Sequence, residues 1–142
     1  MTAKEYFTQV SEYERAMRVL RQKLAHFEDL GLTITSNTSA VGGRQAGASR
    51  VEKAAIGMVD TVADLKDQIN AYKKLITEAQ QIIDKIPQER YRRILTLKYL
   101  CDMSFKAVSD ELRYTDPRSI YRAHGWALAE AQRILDGIAP QA

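Results

Sequence analysis

The spacing of apolar residues over the first 86 positions is the feature that most constrains the fold. Between residues 6 and 27, and again between 51 and 86, apolar residues recur at alternating intervals of four and three. This rhythm is the seam of a heptad repeat, in which one face of a helix is buried against a partner helix. The first seam contains Tyr6, Val10, Tyr13, Met17, Leu20, Leu24 and Phe27, and the second contains Val51, Ala55, Met58, Val62, Leu65, Ile69, Tyr72, Ile76, Ala79, Ile83 and Ile86.

The residues between the two seams predict a flexible loop. Residues 31–49 are rich in Thr, Ser, Asn and Gly, a composition that is typical of loops. Ser49 followed by Glu52 has the form of a capping box and predicts the start of the second helix. Pro87 ends that helix, because a proline disfavours helical backbone at the residue before it.

Two heptad helices joined by a flexible loop are expected to fold back on each other. The sequence therefore predicts a long antiparallel, coiled-coil-like helical hairpin over residues 1–86. The second predicted helix is the longer one, so its far end, from Ile76 to Ile86, lacks a partner within the hairpin. Either the C-terminal part of the chain or a second copy is expected to cover it.

Shorter helices are predicted after Pro87, beginning with one over residues 88–100. Ser104 is a preferred N-cap for the next helix, and Asp116 with Pro117 is a preferred start for the last one. A short helix, a tight turn and a longer helix is the order of a helix-turn-helix. The chain is therefore predicted to be all-α, with a C-terminal three-helix helix-turn-helix domain over residues 87–142.

A helical wheel of the last predicted helix separates an apolar side from a polar side. The apolar side contains Ile120, Ala123, His124, Ala127, Ala131 and Ile134, and the polar side contains Arg118, Ser119, Tyr121, Arg122 and Gly125. Two arginines one turn apart are able to reach guanine O6 and N7 or neighbouring phosphates. A glycine on the same side allows the backbone to lie close to a duplex. The polar side is therefore predicted to contact DNA in the major groove.

Four basic side chains earlier in this domain are candidates for contacts with DNA phosphates, which position a protein without specifying a sequence. They are Arg90, Arg92, Arg93 and Lys106. The alternative for each of them is an ordinary solvated helix surface.

Two stretches of this domain resemble region 4 of bacterial sigma factors: residues 89–100, ERYRRILTLKYL, and residues 103–112, MSFKAVSDEL. Three more motifs extend the likeness over most of the chain: AKEY at 3–6, TITS at 33–36 and HGWAL at 124–128. In this order they resemble a family of small phage and prophage proteins related to the ArpU and RinA late-gene regulators. The turn before Arg118 is one residue longer than is usual in that family. The resemblance implies binding to double-stranded DNA and contact with RNA polymerase.

The composition of the chain argues against several other classes of protein. The chain has 21 Lys and Arg against 18 Asp and Glu, a net charge of +3, which permits a polyanionic partner without requiring one. One cysteine and two widely separated histidines argue against a disulfide scaffold, a metal site or a catalytic cluster, so we expect no cofactor and no enzymatic activity. No apolar run reaches the roughly 18 residues that span a bilayer, and the start does not resemble a signal peptide. We therefore expect no membrane partner and a cytoplasmic location.

The sequence also predicts the surroundings of three single residues. His124 lies on the apolar side of the last helix and is expected to be packed and hydrogen-bonded. Cys101 is expected to be a small core residue. Trp126 lies at the edge between the two sides, where packing against the long helix is expected.

Three functions remain open. The first is a phage or prophage transcription regulator that binds DNA, with the helical hairpin mediating homodimer formation or polymerase contact. The second is a small terminase subunit, in which a helix-turn-helix and an oligomerising helical part assemble as a ring. The third is a coiled-coil adaptor that does not bind DNA.

Overall fold

The computed structural model describes the backbone of residues 1–40 and 45–137, and the side chains of residues 1–31, 57 and 59–137. Over these residues the chain is helical and contains no strand, which confirms the predicted all-α class. The α-helices are α1 (Ala3–Ala40), α2 (Gln45–Asp84), α3 (Glu89–Leu95), α4 (Phe105–Glu111) and α5 (Pro117–Leu135). Helix α3 continues directly into a π-helical turn, Thr96–Leu100.

The predicted loop over residues 31–49 is wrong where the structure describes it. Helix α1 continues to Ala40 and α2 begins at Gln45, while residues 41–44 lie outside the described residues. Ser49 therefore lies inside α2 and does not begin it. The stretch contains no proline, and an established helix gains one hydrogen bond for each added residue. Thr, Ser and Asn disfavour a helix by only a few tenths of a kcal/mol each and glycine by about 1 kcal/mol, so none of them breaks a helix as a proline does.

The first turn of α1 is fixed by hydrogen bonds that the sequence argument missed. The Thr2 hydroxyl accepts a hydrogen bond from the Glu5 amide at 3.2 Å, and the Glu5 carboxylate accepts one from the Thr2 amide at 3.1 Å. This is a reciprocal capping box. The amide of Ala3 also donates to the side-chain oxygen of Gln132 at 2.6 Å, so α5 satisfies a free donor at the start of α1.

Contacts divide the chain into two compact units, Met1–Arg15 together with Tyr72–Ala142, and Ala16–Ala71. In the second unit, Met17, Leu65 and Ile69 are buried. All three are seam positions of the predicted heptads, so the spacing identified the buried side of both long helices there. The complete hairpin stays a prediction.

The described residues of the first unit form two hydrophobic clusters, and we call the larger one the main core. Its buried residues are Ala3, Phe7, Val10, Ala79, Ile83, Ile86, Leu95, Tyr99, Ala127 and Ala131. They come from the first turns of α1, the last turns of α2, the end of α3 with the π-turn, and α5. The end of α2 is therefore covered within the same chain, both by the C-terminal helices and by the start of α1. The predicted lack of a partner within the first 86 residues is wrong, because residues of α1 and of the end of α2 belong to the same buried cluster.

A second cluster, the small core, lies among α3, α4 and α5. Its buried residues are Ile94, Val108, Ile120 and Ala123, with Leu97, Met103, Phe105, Leu112 and Tyr114 packed around them. Both predicted N-caps are confirmed. The Ser104 hydroxyl accepts from the Ala107 amide at 3.1 Å, and the Asp116 carboxylate accepts from the Arg118 amide at 2.9 Å. Pro117 follows as the first residue of α5.

An ion pair connects α1 to the segment that follows the π-turn. The Arg15 guanidinium donates to the two carboxylate oxygens of Asp102 at 2.9 and 2.8 Å, and the Ser11 hydroxyl donates to the same carboxylate at 3.1 Å. The hydrogen bond to Asp102 and its negative charge raise the pKa of Arg15. Asp102 has a φ of 53°, a left-handed conformation that few residues other than glycine adopt. The three side-chain bonds hold it there.

The main core generates a stability prediction. Ile83 is fully buried, so Ile83→Ala is expected to lower the free energy of unfolding by about 2–5 kcal/mol, since it removes buried apolar surface and leaves a cavity. Leu75→Ala is the control, because Leu75 is exposed on the same helix and is expected to cost about 1 kcal/mol or less. Urea unfolding measures both. Equal losses would contradict the assignment of Ile83 to the core.

Candidate nucleic-acid interface

The two sides of α5 differ in burial as the helical wheel predicts. Ile120, Ala123, His124, Ala127 and Ala131 are buried. On the opposite side Arg118, Tyr121, Arg122 and Gly125 are exposed, and Ser119 is partly buried. We call the exposed set, together with Trp126, the outer face of α5. The helix is thus anchored along one side and open to solvent along the other.

The outer face is cationic. Arg118 and Arg122 are both exposed, and α5 has no carboxylate before Glu130. Asp116 precedes the helix, and its carboxylate is bonded to the backbone as the N-cap. Among the described residues, neither arginine forms an ion pair. Both guanidinium groups are therefore free to bind an external anion.

An aromatic contact positions one side of the outer face. The Tyr121 ring lies 4.9 Å from the ring of Phe105 at the start of α4, yet 58% of the residue remains exposed. Phe105 in turn packs edge-on against His124 at 4.9 Å, and the Lys98 ammonium lies 4.5 Å from its ring centroid. Tyr121 is thus fixed by α4 while much of its surface faces outward.

Trp126 does not pack as the sequence argument expected. It is 58% exposed and lines a cleft of about 260 Å³ together with Arg90, Tyr114, Ser119 and Arg122. We call this the α3–α5 cleft. Helix α5 contacts the main core through the small residues Ala127 and Ala131, and the neighbouring position 126 is turned away from that contact.

Two of the predicted phosphate-contacting residues lie in exposed positions around α5. Arg90 is exposed, and its guanidinium carbon lies 4.5 Å from the centroid of the Tyr114 ring. It also lines the α3–α5 cleft beside Arg122. Lys106 is exposed in the first turn of α4. Of these two, Arg90 is the one that shares a cleft with the outer face.

The other two predicted phosphate-contacting residues, Arg92 and Arg93, have different surroundings. Arg92 is partly buried, and its Nη1 donates to the carbonyl oxygens of Ile86 and Pro87 at 2.6 and 2.9 Å. It therefore satisfies free acceptors after the end of α2, which is a structural role. Arg93 is exposed, but it lines a separate depression that includes Asp84 and Glu111, whose carboxylates oppose an anion.

A buried polar pair holds α5 against the π-turn. The Tyr99 hydroxyl and the His124 Nε2 lie 2.6 Å apart. Burial lowers the pKa of His124 to about 4, with the positive charges of Lys98 and Lys4 adding to the effect, and burial raises the pKa of Tyr99 to about 12. Both groups are therefore neutral at pH 7. This confirms the prediction that His124 is a packed, hydrogen-bonded residue.

Cys101 is exposed, and the predicted core position is wrong. The π-turn ends at Leu100, and its final bond, from the Cys101 amide to the Thr96 carbonyl at 2.9 Å, leaves the cysteine at the start of a loop. A π-turn adds a residue to each hydrogen-bonded ring and shifts every later side chain around the axis. The prediction depended on residue type alone, since a free cysteine is usually buried, and did not take this turn into account.

The described residues hold no group of three His, Cys, Asp or Glu side chains able to bind a metal ion. No helix in the described part of the chain has the length and apolar character to cross a membrane.

No protein-family model, curated protein or solved structure matches this chain.

The Tyr99–His124 pair generates a prediction of pH dependence. The unfolded chain binds a proton at His124 below about pH 6.5, whereas the folded chain does so only near pH 4. The free energy of unfolding is therefore expected to fall as the pH decreases from 6.5 to 4. His124→Gln should flatten the profile in this window, as measured by urea unfolding at several pH values.

His26→Gln is the control for this experiment, because His26 is an exposed histidine on α1. It should leave the profile of the native protein unchanged. Parallel profiles for the native protein and His124→Gln would show that His124 does not titrate abnormally.

Proposed function

We propose that this protein is a sequence-specific regulator of transcription of the phage or prophage type, which inserts α5 into the major groove of double-stranded DNA. One observation carries the proposal: α5 has an exposed cationic outer face, while its opposite side is anchored in both hydrophobic cores. A recognition helix needs both properties, because it must present side chains to base edges without losing its own packing.

The order of the C-terminal elements supports this assignment. Helix α4 is followed by residues 112–116, where Arg113 adopts a positive φ of 59°, and then by α5. In a helix-turn-helix, side chains from the first turns of the second helix read the bases. Arg118, Ser119, Tyr121 and Arg122 occupy those turns, with Gly125 one turn further along. Arg90 and Lys106 are proposed to contact phosphates beside the groove.

The long helices are proposed to form the antiparallel hairpin and to mediate contact with a second copy or with RNA polymerase. The heptad seams over residues 6–27 and 51–86 support this part of the proposal, because such seams bury one face of a helix against a partner helix. The mass of the protein in solution distinguishes two of the candidate functions. A monomer or dimer supports a transcription regulator, and a large ring supports a small terminase subunit.

The first test removes the two exposed arginines of the outer face. Arg118→Ala/Arg122→Ala is expected to lower the affinity for a DNA site selected from a random pool by about thirtyfold or more, since each arginine contact is worth about 1–3 kcal/mol. The slope of log affinity against log salt should also become shallower. Gel shifts over a salt series measure both. The thermal midpoint should not change, because both side chains are exposed.

Lys73→Ala/Lys74→Ala is the matched control. It removes the same charge from exposed positions on α2 and should leave DNA binding nearly unchanged. If both double variants lost the same DNA affinity, the binding would be explained by non-specific attraction of charge, and the proposed role of the outer face would be wrong. A native protein that binds no duplex even at low salt would support the coiled-coil adaptor instead.

Gly125 provides a second test, because no atom of the described protein lies within 4 Å of a Cβ built there. Internal packing therefore does not require glycine, and alanine should stabilise α5 by about 0.5–1 kcal/mol. If a DNA duplex approaches this backbone closely, Gly125→Ala should at the same time weaken DNA binding several-fold. Thermal unfolding and gel shifts measure the two effects.

Gly57→Ala is the control, since a Cβ at Gly57 on α2 also meets no atom within 4 Å. This variant should be stabilised without any loss of DNA affinity. If Gly125→Ala bound DNA as tightly as Gly57→Ala, the duplex would not lie against this part of α5.

A further inference from the structure

The α3–α5 cleft combines cationic and aromatic side chains at the border of the outer face. Its volume is about 260 Å³, and its lining includes Arg90, Arg122, Tyr114, Ser119 and Trp126. None of its lining residues is a carboxylate. Two positive charges in a lining that contains no carboxylate favour an anion as the ligand.

Arg90 is held in place before any ligand arrives. Its guanidinium lies 4.5 Å from the centroid of the Tyr114 ring, a stacking contact that limits the conformations of a long side chain. A guanidinium presents a planar set of N–H donors that matches two phosphate oxygens at once. A stacked arginine loses less conformational freedom when it binds such a group.

The lining of the cleft also includes a neutral hydrogen-bond donor. Ser119, which is only partly buried, brings a hydroxyl group to it. Tyr114 contributes the ring on which Arg90 stacks. Charged and neutral donors that surround one site are typical of phosphate recognition.

We propose that the α3–α5 cleft binds one phosphodiester group of the DNA backbone next to the groove that α5 enters. Arg90 and Arg122 contact its oxygens, and the exposed Trp126 ring packs against the adjoining deoxyribose. This inference rests on the proposed function. It gives the two arginines of the outer face different roles: Arg118 reads a base, and Arg122 binds the backbone.

The experiment compares Arg90→Gln with Arg93→Gln. Both variants remove one exposed positive charge from α3, but Arg93 lines the depression that contains Asp84 and Glu111. Affinity is measured over a salt series for a selected site and for a scrambled duplex. Arg90→Gln should weaken binding to both duplexes by the same factor, about tenfold, and reduce the salt slope by about 1. Arg93→Gln should change neither.

Two results separate the failure of this inference from the failure of the proposed function. If the native protein binds no duplex, the proposed function is wrong and the cleft inference falls with it. If the native protein binds the selected site and Arg90→Gln binds like Arg93→Gln, only the cleft inference is overturned.

A second measurement covers the case in which Arg90→Gln does not fold. Single phosphates of the selected duplex are replaced by uncharged methylphosphonates while the protein stays native. Replacement of the phosphate at one flanking position should lower the affinity about tenfold and reduce the salt slope by about 1. If replacement at every position left the affinity unchanged, the inference would be overturned.

Trp126 is the single tryptophan, and its fluorescence distinguishes the two sources of a phosphate group. A saturable change with duplex and none with inorganic phosphate supports the backbone assignment. An equal change with both would identify a site for free phosphate instead.

Discussion

The burial of one side of α5 is the constraint on which the rest of this structure depends. The same side of the helix enters both cores: Ile120 and Ala123 pack into the small core, and Ala127 and Ala131 pack into the main core. The bond between His124 and Tyr99 lies between these two contacts along the helix. A helix held at three successive levels cannot rotate about its axis. Its outer face therefore has a fixed direction, which is the preorganisation that base recognition requires.

Much of this arrangement was predictable because it follows from helical periodicity. Leu65, Ile69 and Ile83 are buried at the positions given by the alternation of four and three. The split of α5 into a buried and an exposed side follows from its wheel for the same reason. The caps at Ser104 and Asp116 were predictable because they depend only on residues within the next turn. In each case the determining interactions are local or repeat along one face.

The features that the sequence did not predict depend on contacts between residues far apart in the sequence, or on a break in the helical periodicity. The ion pair between Arg15 and Asp102 joins residues 87 positions apart, and no local pattern marks either partner. Phe7 takes a core position next to the predicted seam residue Tyr6, because the start of α1 packs against the C-terminal helices as well as α2. Cys101 follows the π-turn, where regular spacing ends. The loop over residues 31–49 was predicted from composition, and Thr, Ser, Asn and Gly disfavour a helix too weakly to end one by themselves.

The proposed DNA-binding surface is tested most directly by mapping it residue by residue. Isotope-labelled protein is titrated with a duplex that carries its selected site, and the shifts of the backbone amide signals are followed by NMR. If α5 is the recognition helix, the largest changes occur at Arg118, Ser119, Tyr121, Arg122 and Gly125, with smaller changes around the α3–α5 cleft. Changes confined to α1 and α2, or none at saturating duplex, would contradict this assignment.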